Sequence, residues 1–258
     1  MRMAELLTVT IKNGVATVVI DNPPMNVLST QVTKELDEVF QELKEDQEVI
    51  STILTGAGDR AFMAGADIKE FPDREKNKEN QIDTHEVFNR IENIPKPTIA
   101  LLNGFTLGGG LELSLLCDIR IAENHAKIGF PEVNLGLLPG AGGTQRLPRI
   151  VGASKAKEMM FTGDPLSAEE ARSLGIVSQV VPKGEGKVVA EQLAQKLANQ
   201  SLQSLSRIKH LVNVGSELPI EEGLQLEKQL FDDLFVTKDA KEGVRAFIEK
   251  RKPVFTHK

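Results

Sequence analysis

The stretch at residues 99–119 reads IALLNGFTLGGGLELSLLCDI, and it decides the fold. Its first part is apolar and follows Pro97, which predicts a buried strand over 98–102. Three glycines at 108–110 then precede a leucine-rich run, which predicts a helix that opens at the glycines and ends near Cys117. Glycine costs backbone entropy in a helix, so we expect a packing or binding reason for it. The N–H groups at such a helix start lack partners and carry partial positive charge, which suits an oxyanion.

Strands and helices alternate on both sides of this stretch. Residues 6–20 predict a β-hairpin around Asn13-Gly14, the strongest short turn signal. A short apolar strand is predicted over 49–55. From Gly152 onward the pattern is mainly helical, with one strand predicted over 176–181. The sequence therefore predicts an α/β fold whose last third is helical.

Composition restricts the possible partners and the compartment. The 258 residues include 31 Lys and Arg against 37 Asp and Glu, a formal net charge of −6. This acidic balance argues against nucleic acid as the partner, because phosphate neutralisation needs clustered basic residues. No apolar run approaches the ~20 residues of a membrane span, and the N-terminus shows no targeting signal. The single cysteine, Cys117, argues against disulfides and fits a reducing compartment, so we expect a cytoplasmic protein.

Three short elements are candidates for chemistry, and each also has a purely structural interpretation. The small residues AGAD at 64–67 form a tight turn or let a ligand approach backbone N–H groups. Glu112 lies in the first turn of an apolar helix, where the helix dipole favours an acid. Charged residues rarely lie among apolar ones without a partner, however. Glu132, at the end of the stretch FPE, taken alone is a surface loop residue.

Taken together, three stretches resemble the crotonase superfamily, and most closely its enoyl-CoA hydratases. They are AFMAGADIK at 61–69, the stretch at 99–119, and GFPEVNLGLLPGAGGTQRL at 129–147. The resemblance covers nearly the whole chain and implies a crotonase-like spiral of ββα units with a C-terminal helical trimerisation region. Residues 1–200 are then the spiral core with the acyl-CoA site, and residues 201–258 the helical oligomerisation region.

The resemblance also implies a reaction and the residues that perform it. The reaction is reversible syn addition of water to a trans-2-enoyl-CoA, which gives a 3-hydroxyacyl-CoA in fatty-acid β-oxidation or short-chain acyl-CoA metabolism. Glu112 and Glu132 match the two catalytic carboxylates, with Glu112 expected mainly to activate water and Glu132 to transfer a proton at Cα. The N–H groups of Ala66 and Gly109 match the oxyanion hole. CoA is part of the substrate, so we expect no separate cofactor.

Other positions match substrate-binding residues of the family. They are Ala64, Asp67, Ile68, Lys69, Gly140, Phe247 and Lys250. The first four fall where the family wraps CoA, and Gly140 matches a glycine near the catalytic water. The last two match C-terminal residues that reach CoA, often in a neighbouring subunit. Residues 72–81 are strongly polar and are expected to form a mobile loop. Because 71–85 match no motif, the acyl-chain preference is not predicted.

Several alternatives remain beside hydration. A double-bond isomerase of the same superfamily needs only one acid/base, so the presence of both Glu112 and Glu132 counts against it. A CoA-thioester hydrolase or decarboxylase is disfavoured for the same reason. A crotonase-like binding protein, RNA-associated or a scaffold, is an alternative of another class. The acidic composition argues against RNA, and a scaffold is expected to lose a glutamate or an oxyanion glycine.

Two further expectations concern metals and assembly. The four histidines show no pair at the helical spacing of metal ligands, so we expect no metal site. Residues 204–252 carry more apolar side chains than a few short helices bury against each other. These side chains pack on their own core or form an interface. With the resemblance, the prediction is a homotrimer or a dimer of trimers, a homohexamer.

Overall fold

The fold is described by a computed structural model that covers residues 2–73 and 82–257. Most of the predicted mobile loop at 72–81 lies outside the described residues. The strands are β1 (Arg2–Met3), β2 (Leu7–Lys12), β3 (Val15–Ile20), β4 (Ser51–Gly56), β5 (Ala61–Met63), β6 (Thr98–Leu102), β7 (Phe105–Leu107), β8 (Ile119–Glu123), β9 (Lys127–Gly129), β10 (Leu166–Ser167) and β11 (Gln179–Val181). The helices are α1 (Thr30–Glu45), α2 (Thr84–Glu92), α3 (Gly109–Leu115), α4 (Gly143–Val151), α5 (Ala153–Thr162), α6 (Ala168–Ser173), α7 (Gly186–Ala198), α8 (Leu202–Gly215), α9 (Ile220–Phe235) and α10 (Lys238–Ile248). Short 3₁₀ turns cover Ile68–Asp73 and Glu132–Leu135.

The strands form two sheets that the chain visits in turn. The larger sheet has the order β1-β2-β3-β4-β6-β8-β11, and the smaller one β10-β9-β7-β5. Each of the pairs β4 and β5, β6 and β7, and β8 and β9 adds one strand to each sheet, and a helix then follows. The strands from β3 to β11 in the larger sheet pair in parallel, as do β5, β7 and β9 in the smaller one. The predicted α/β spiral of ββα units is confirmed.

The central strand β6 is covered on both faces, which explains its continuous apolar sequence. Ile99 and Leu101 belong to a cluster with α7, whereas Ala100 and Leu102 belong to the main core that also encloses α3. Successive side chains of a strand point to opposite faces of the sheet, so both faces of β6 are buried. The prediction of a buried strand over 98–102 is confirmed.

The N-terminal hairpin also forms as the sequence predicts. β2 pairs antiparallel with β3, and the pairing ends at Lys12 and Val15. Asn13 and Gly14 between them adopt the left-handed φ values of 51° and 80°. A two-residue hairpin turn that follows the strand twist requires positive φ at both positions.

The strand predicted over 176–181 is only half correct. Strand β11 covers Gln179–Val181, and the two apolar residues before it do not pair. Ile176 and Val177 are buried, and their N–H groups donate to Ala171 O at the end of α6 (2.9 and 3.4 Å). Their apolar character reflects packing around a helix end, because burial alone selects apolar residues whatever the backbone pairing.

Buried asparagine side chains fix the loops at one edge of the sheets. Asn103, which follows β6, donates from Nδ2 to Gly56 O (2.8 Å) and Gly58 O (2.9 Å). Asn26 donates in the same way to Ala61 O (2.8 Å). Buried carbonyl groups need such partners where water is excluded. The ends of β4 and β6 and the start of β5 are therefore held together, and the turn after β5 leaves from this edge.

Candidate active site

Helix α3 places the side chain of Glu112 in the protein interior. The helix is buried along its whole length, and Glu112 is only 3% exposed. Its Oε1 accepts hydrogen bonds from Ala141 N (2.7 Å) and Gly143 N (2.8 Å) at the start of α4. Burial raises the pKa of Glu112, and these two N–H groups oppose that rise. The carboxylate is thus held by backbone donors in apolar surroundings.

The side chain of Glu132 lies in a different environment. Glu132 begins the 3₁₀ turn after β9, and its buried Oε2 accepts no hydrogen bond within residues 2–73 and 82–257. Burial raises the pKa of Glu132 to about 7, and the negative charge of Glu112 also raises it. Glu132 Oε1 lies 2.5 Å from the position of a Cβ atom built on Gly108, directly before α3, and Glu112 lies in the first turn of that helix, so the fold brings both carboxyl groups to the start of α3. Two carboxyl groups in different environments are therefore available for proton transfer.

Gly108 provides the space that Glu132 occupies. A Cβ atom built on Gly108 would lie 2.5 Å from Glu132 Oε1, and the φ of Gly108 is 52°. Both facts require glycine here, because a side chain would collide with the carboxylate and strain the backbone. The first glycine of the three before α3 thus has a packing reason, as the sequence predicts.

The backbone N–H groups of Ala66 and Gly109 form the third part of the site. Leu28 N donates to Gly65 O (2.8 Å), and Asp67 N donates to Leu28 O (2.9 Å). This bridge leaves Ala66 N without an acceptor, and Gly109 N also lacks one, among the described residues. A Cβ atom built on Gly109 would lie 3.7 Å from Ala66 N. Two free donors therefore lie side by side, as an oxyanion hole requires.

The predicted substrate-binding residues fall into two groups. Ala64, Asp67, Ile68 and Lys69 flank Ala66 in the chain, and Gly140 precedes Ala141, so these five lie next to the site. Within this group, Asp67 Oδ1 accepts from Lys69 N (3.0 Å), and Ile68 is 59% exposed.

The second group lies near the end of α10 and is not brought into the site. Phe247 is 85% exposed, and no hydrogen bond or ion pair in the described part of the chain joins Phe247 or Lys250 to Glu112 or Ala66. Their role stays a prediction, and it requires the neighbouring subunit that the resemblance implies.

Four residues of this site were not assigned from the sequence. Ala141 and Gly143 donate to Glu112, and the charges of His85 and Arg146 lower the pKa of Glu112 against the effect of burial. The glycine cluster before a helix is the signal that indicates the donors, since helix N-termini offer free N–H groups to anions. Nothing local to residues 85 or 146 indicates their proximity to Glu112.

Two other features are absent from residues 2–73 and 82–257. No group of three or more His, Cys, Asp or Glu side chains there is arranged to hold a metal ion. None of the described helices combines the length and the hydropathy that crossing a membrane requires.

Comparison with known proteins identifies the family of this site. The family described as enoyl-CoA hydratase/isomerase matches residues 10–258. The chain belongs to this family. The resemblance that the three sequence stretches predict is therefore confirmed.

Individual relatives are similar over nearly their full length. A probable enoyl-CoA hydratase of Bacillus subtilis is 44% identical over 254 residues, which cover 96% of this chain and 98% of the relative. A short-chain-enoyl-CoA hydratase of Clostridium acetobutylicum is 42% identical, with 93% and 94% covered. The crystal structure of an enoyl-CoA hydratase from Bacillus anthracis matches with a TM-score of 0.92 at 37% identity, with 98% and 100% covered.

Substitution of Gly109 tests the place of this residue in the family's site. A Cβ atom there would lie 3.1 Å from Leu28 Cδ2 and close to Ala66 N, so any side chain enters the space before the two donors. We expect the hydration rate of crotonyl-CoA, measured by loss of the conjugated thioester absorbance, to fall from Gly to Ala to Val. The expected loss for Gly109→Val is ~10²–10³-fold, as for removal of an oxyanion donor. Wild-type kinetics in a folded Gly109→Val variant would remove Gly109 from the site.

Proposed function

We propose that this chain is an enoyl-CoA hydratase that adds water reversibly to a trans-2-enoyl-CoA thioester and forms the 3-hydroxyacyl-CoA. One observation carries the proposal: the buried carboxyl group of Glu112 and the partly buried one of Glu132 lie beside two free backbone N–H groups, in a member of the enoyl-CoA hydratase/isomerase family. CoA belongs to the substrate, and the reaction needs no separate cofactor because water addition transfers protons and no electrons.

The free N–H groups of Ala66 and Gly109 supply the electrophilic part of the reaction. Water adds poorly to an isolated double bond, but conjugation to the thioester carbonyl makes Cβ electrophilic. Negative charge then develops on the carbonyl oxygen as in an enolate. Two preorganised N–H donors stabilise that charge without reorganisation, which is the main requirement for the addition.

The two glutamates supply the proton transfers. One carboxylate must accept a proton from water at Cβ while the other carboxylic acid delivers one to Cα. Glu112 is held ready to act as the base, because Ala141 N and Gly143 N stabilise its charged form. Glu132 holds a proton at neutral pH more readily than an ordinary glutamate does, because burial raises its pKa to about 7. Addition of the hydroxyl group at Cβ and of the proton at Cα from the same face of the double bond gives syn addition, and the proton taken up by Glu112 balances the one given by Glu132.

The pH dependence of the reaction tests the assignment of Glu132. Its raised pKa of about 7 means that the protonated form declines as pH rises through 7. If Glu132 is the acid, kcat/KM for hydration falls above that pH, because kcat/KM reports the groups of the free enzyme. The Glu132→Gln variant should lack this limb. A wild-type profile that stays flat across roughly pH 6–9 would contradict the assignment.

Amide substitution of each glutamate tests the two-carboxylate mechanism. Glu112→Gln and Glu132→Gln keep the side-chain size and remove the proton-transfer group, so we expect each to lower kcat for crotonyl-CoA hydration by ~10²–10⁴-fold. CoA binding, measured by calorimetry, should change little. Glu170→Gln is the control, since Glu170 is an exposed partner of Ser167 in a capping box. A wild-type rate in Glu112→Gln would exclude the mechanism.

The same variants separate hydration from double-bond isomerisation. An isomerase moves one proton with one acid/base, so it needs neither a water site nor a second carboxylate. The presence of two carboxyl groups at the start of α3 supports hydration, because hydration needs one group to accept a proton from water and another to protonate Cα. Loss of hydration with retained double-bond migration in Glu112→Gln would instead favour isomerase activity on Glu132.

A short-chain substrate and a role in fatty-acid β-oxidation or short-chain acyl-CoA metabolism complete the proposal. The similarity to a short-chain-enoyl-CoA hydratase supports this choice. Relative kcat/KM on crotonyl-, octenoyl- and 3-methylcrotonyl-CoA measures the chain-length preference. A cytoplasmic location belongs to the same proposal, supported by the single buried thiol of Cys117, which suits a reducing compartment.

We further propose that the C-terminal helices assemble the chain into a trimer or a dimer of trimers. Neither α8, with 14 residues, nor α9, with 16, has a buried residue in the single chain. Amphipathic helices of this length gain their stability mainly by burying an apolar face. A cavity of about 900 Å³ between α8, α9 and α10 has many apolar side chains among its lining residues. They include Leu205, Ile208, Phe231, Leu234, Phe235, Val244 and Ile248.

Sedimentation at micromolar concentration tests the assembly. We expect a trimer or hexamer that dissociates in Phe231→Glu, since Phe231 is 57% exposed in one chain and a charge there opposes apolar burial. Gln192→Glu, which adds the same charge on the exposed side of α7, is the control. An active wild-type monomer would contradict the proposal.

A further inference from the structure

The guanidinium of Arg146 joins two elements that both approach the site. It lies on α4 and is 16% exposed. Its Nε and Nη2 donate to the two carboxylate oxygens of Glu92 on α2 (3.0 and 2.7 Å). Nη2 also donates to Asn89 Oδ1 (3.2 Å), and Nη1 donates to Ala141 O (3.3 Å). A single planar group therefore ties α2 to the turn that precedes α4.

That turn holds the carboxylate of Glu112. Ala141 accepts from Arg146 with its carbonyl group and donates to Glu112 Oε1 with its N–H group. Gly142, with φ at 105°, is covered by Nη1, and any side chain at Gly142 would overlap that atom. Gly143 provides the second donor to Glu112 Oε1. Arg146 thus binds the carbonyl oxygen of the same turn whose N–H groups donate to Glu112.

A second ion pair fixes the helix that carries the partner of Arg146. Its partner Glu92 lies at the end of α2, and Arg90 on the same helix forms a two-pronged pair with Asp37 on α1 (2.8 and 2.9 Å). Charge-assisted, bidentate pairs restrict geometry more than single hydrogen bonds. The position of the turn is therefore linked to the packing of α2 on α1.

We propose that Arg146 is a positioning residue for Glu112, and that Glu92 anchors it. The inference rests on the proposed hydratase function, in which Glu112 must present its carboxylate to water. Arg146 touches no reacting atom; it holds the Ala141–Gly143 turn so that the two N–H groups meet Oε1. A misplacement of about 1 Å far from the chemistry can cost ~10²-fold in rate.

The three-way contact explains why arginine occupies this position. Guanidinium offers five donors in a rigid plane, so it can pair with a carboxylate through two of them and reach a carbonyl with another. A lysine ammonium keeps the charge but cannot bridge both groups in this fixed geometry. Charge and geometry can therefore be separated by comparing Arg146→Lys with Arg146→Met.

The charge of Arg146 predicts a pH effect as a second readout. Three charged or titratable groups act on Glu112 from the elements around it: Arg146 on α4, His85 on α2 and Glu132 on the 3₁₀ turn. Arg146 and His85 lower the pKa of Glu112, so removal of the Arg146 charge raises that pKa. The acidic limb of kcat/KM should then move to higher pH in Arg146→Met and stay near its wild-type position in Arg146→Lys.

Kinetics of four variants test the proposal. We expect Arg146→Met to lower kcat by ~10–100-fold with little change in KM, because a displaced base affects the transition state more than binding. Arg146→Lys should recover only part of this loss. Glu92→Gln should lower kcat in the same direction, and combining it with Arg146→Met should add little, since both act through one contact. Arg149→Met is the matched control, because Arg149 lies on the same helix in an exposed pair with Glu217.

The outcomes separate this inference from the proposed function. Wild-type kcat and pH profile in a folded Arg146→Met variant of an active hydratase would overturn the inference alone. If the wild type hydrates none of the three enoyl-CoA substrates, the proposed function fails. Infrared titration of the Glu112 carboxyl group then tests the role of Arg146 independently of enzymatic activity. The carboxyl band of Glu112 is the one that disappears in Glu112→Gln. Arg146→Met should shift that titration upward relative to the wild type and Arg149→Met, and an unshifted titration would overturn the inference.

Discussion

The rest of the structure depends on one constraint, the burial of a carboxylate at Glu112. A carboxylate that is 3% exposed is costly unless hydrogen bonds replace its water. Ala141 N and Gly143 N, about thirty residues farther along the chain, supply these hydrogen bonds in place of water. Helices α3 and α4 must therefore face each other, and the turn between β9 and α4 must expose its N–H groups. The spiral of ββα units meets this need by bringing successive helix starts to one edge of the sheets.

Environment gives the two glutamates different properties. Glu112 has two backbone donors that favour its charged form, whereas Glu132 has a buried Oε2 without a protein partner in the described residues. The same side-chain chemistry thus yields a group prepared to accept a proton and a group with a pKa of about 7. Gly108 keeps the pair close, because the absence of a Cβ lets the Glu132 carboxyl lie against the backbone that leads into α3.

The site and the C-terminal helices differ in how complete they are within one chain. Glu112 and Gly109 lie in helix α3, which is buried along its whole length against the main core, whereas Ala66 and Glu132 lie where the site opens toward the surface. Helices α8 and α9 have no buried residue, and Phe247 on α10 is 85% exposed. Helices that bury no residue in the single chain are the arrangement expected of a subunit whose outer surface is covered by other copies.

Local patterns determined much of this protein. The Asn13-Gly14 turn, the doubly buried strand at 98–102, the glycines before α3 and the unusual acid at Glu112 all follow from spacing and residue type, which act over a few residues. The strand prediction for 176–181 was half wrong, because apolar residues are buried both where a chain packs against a helix and where it pairs in a sheet. Only the tertiary structure decided that Ala141 N and Gly143 N donate to Glu112 and that Arg146 binds the turn that carries them. Those contacts join segments about thirty residues apart, and their geometry arises only when the sheets bring separate turns to one edge.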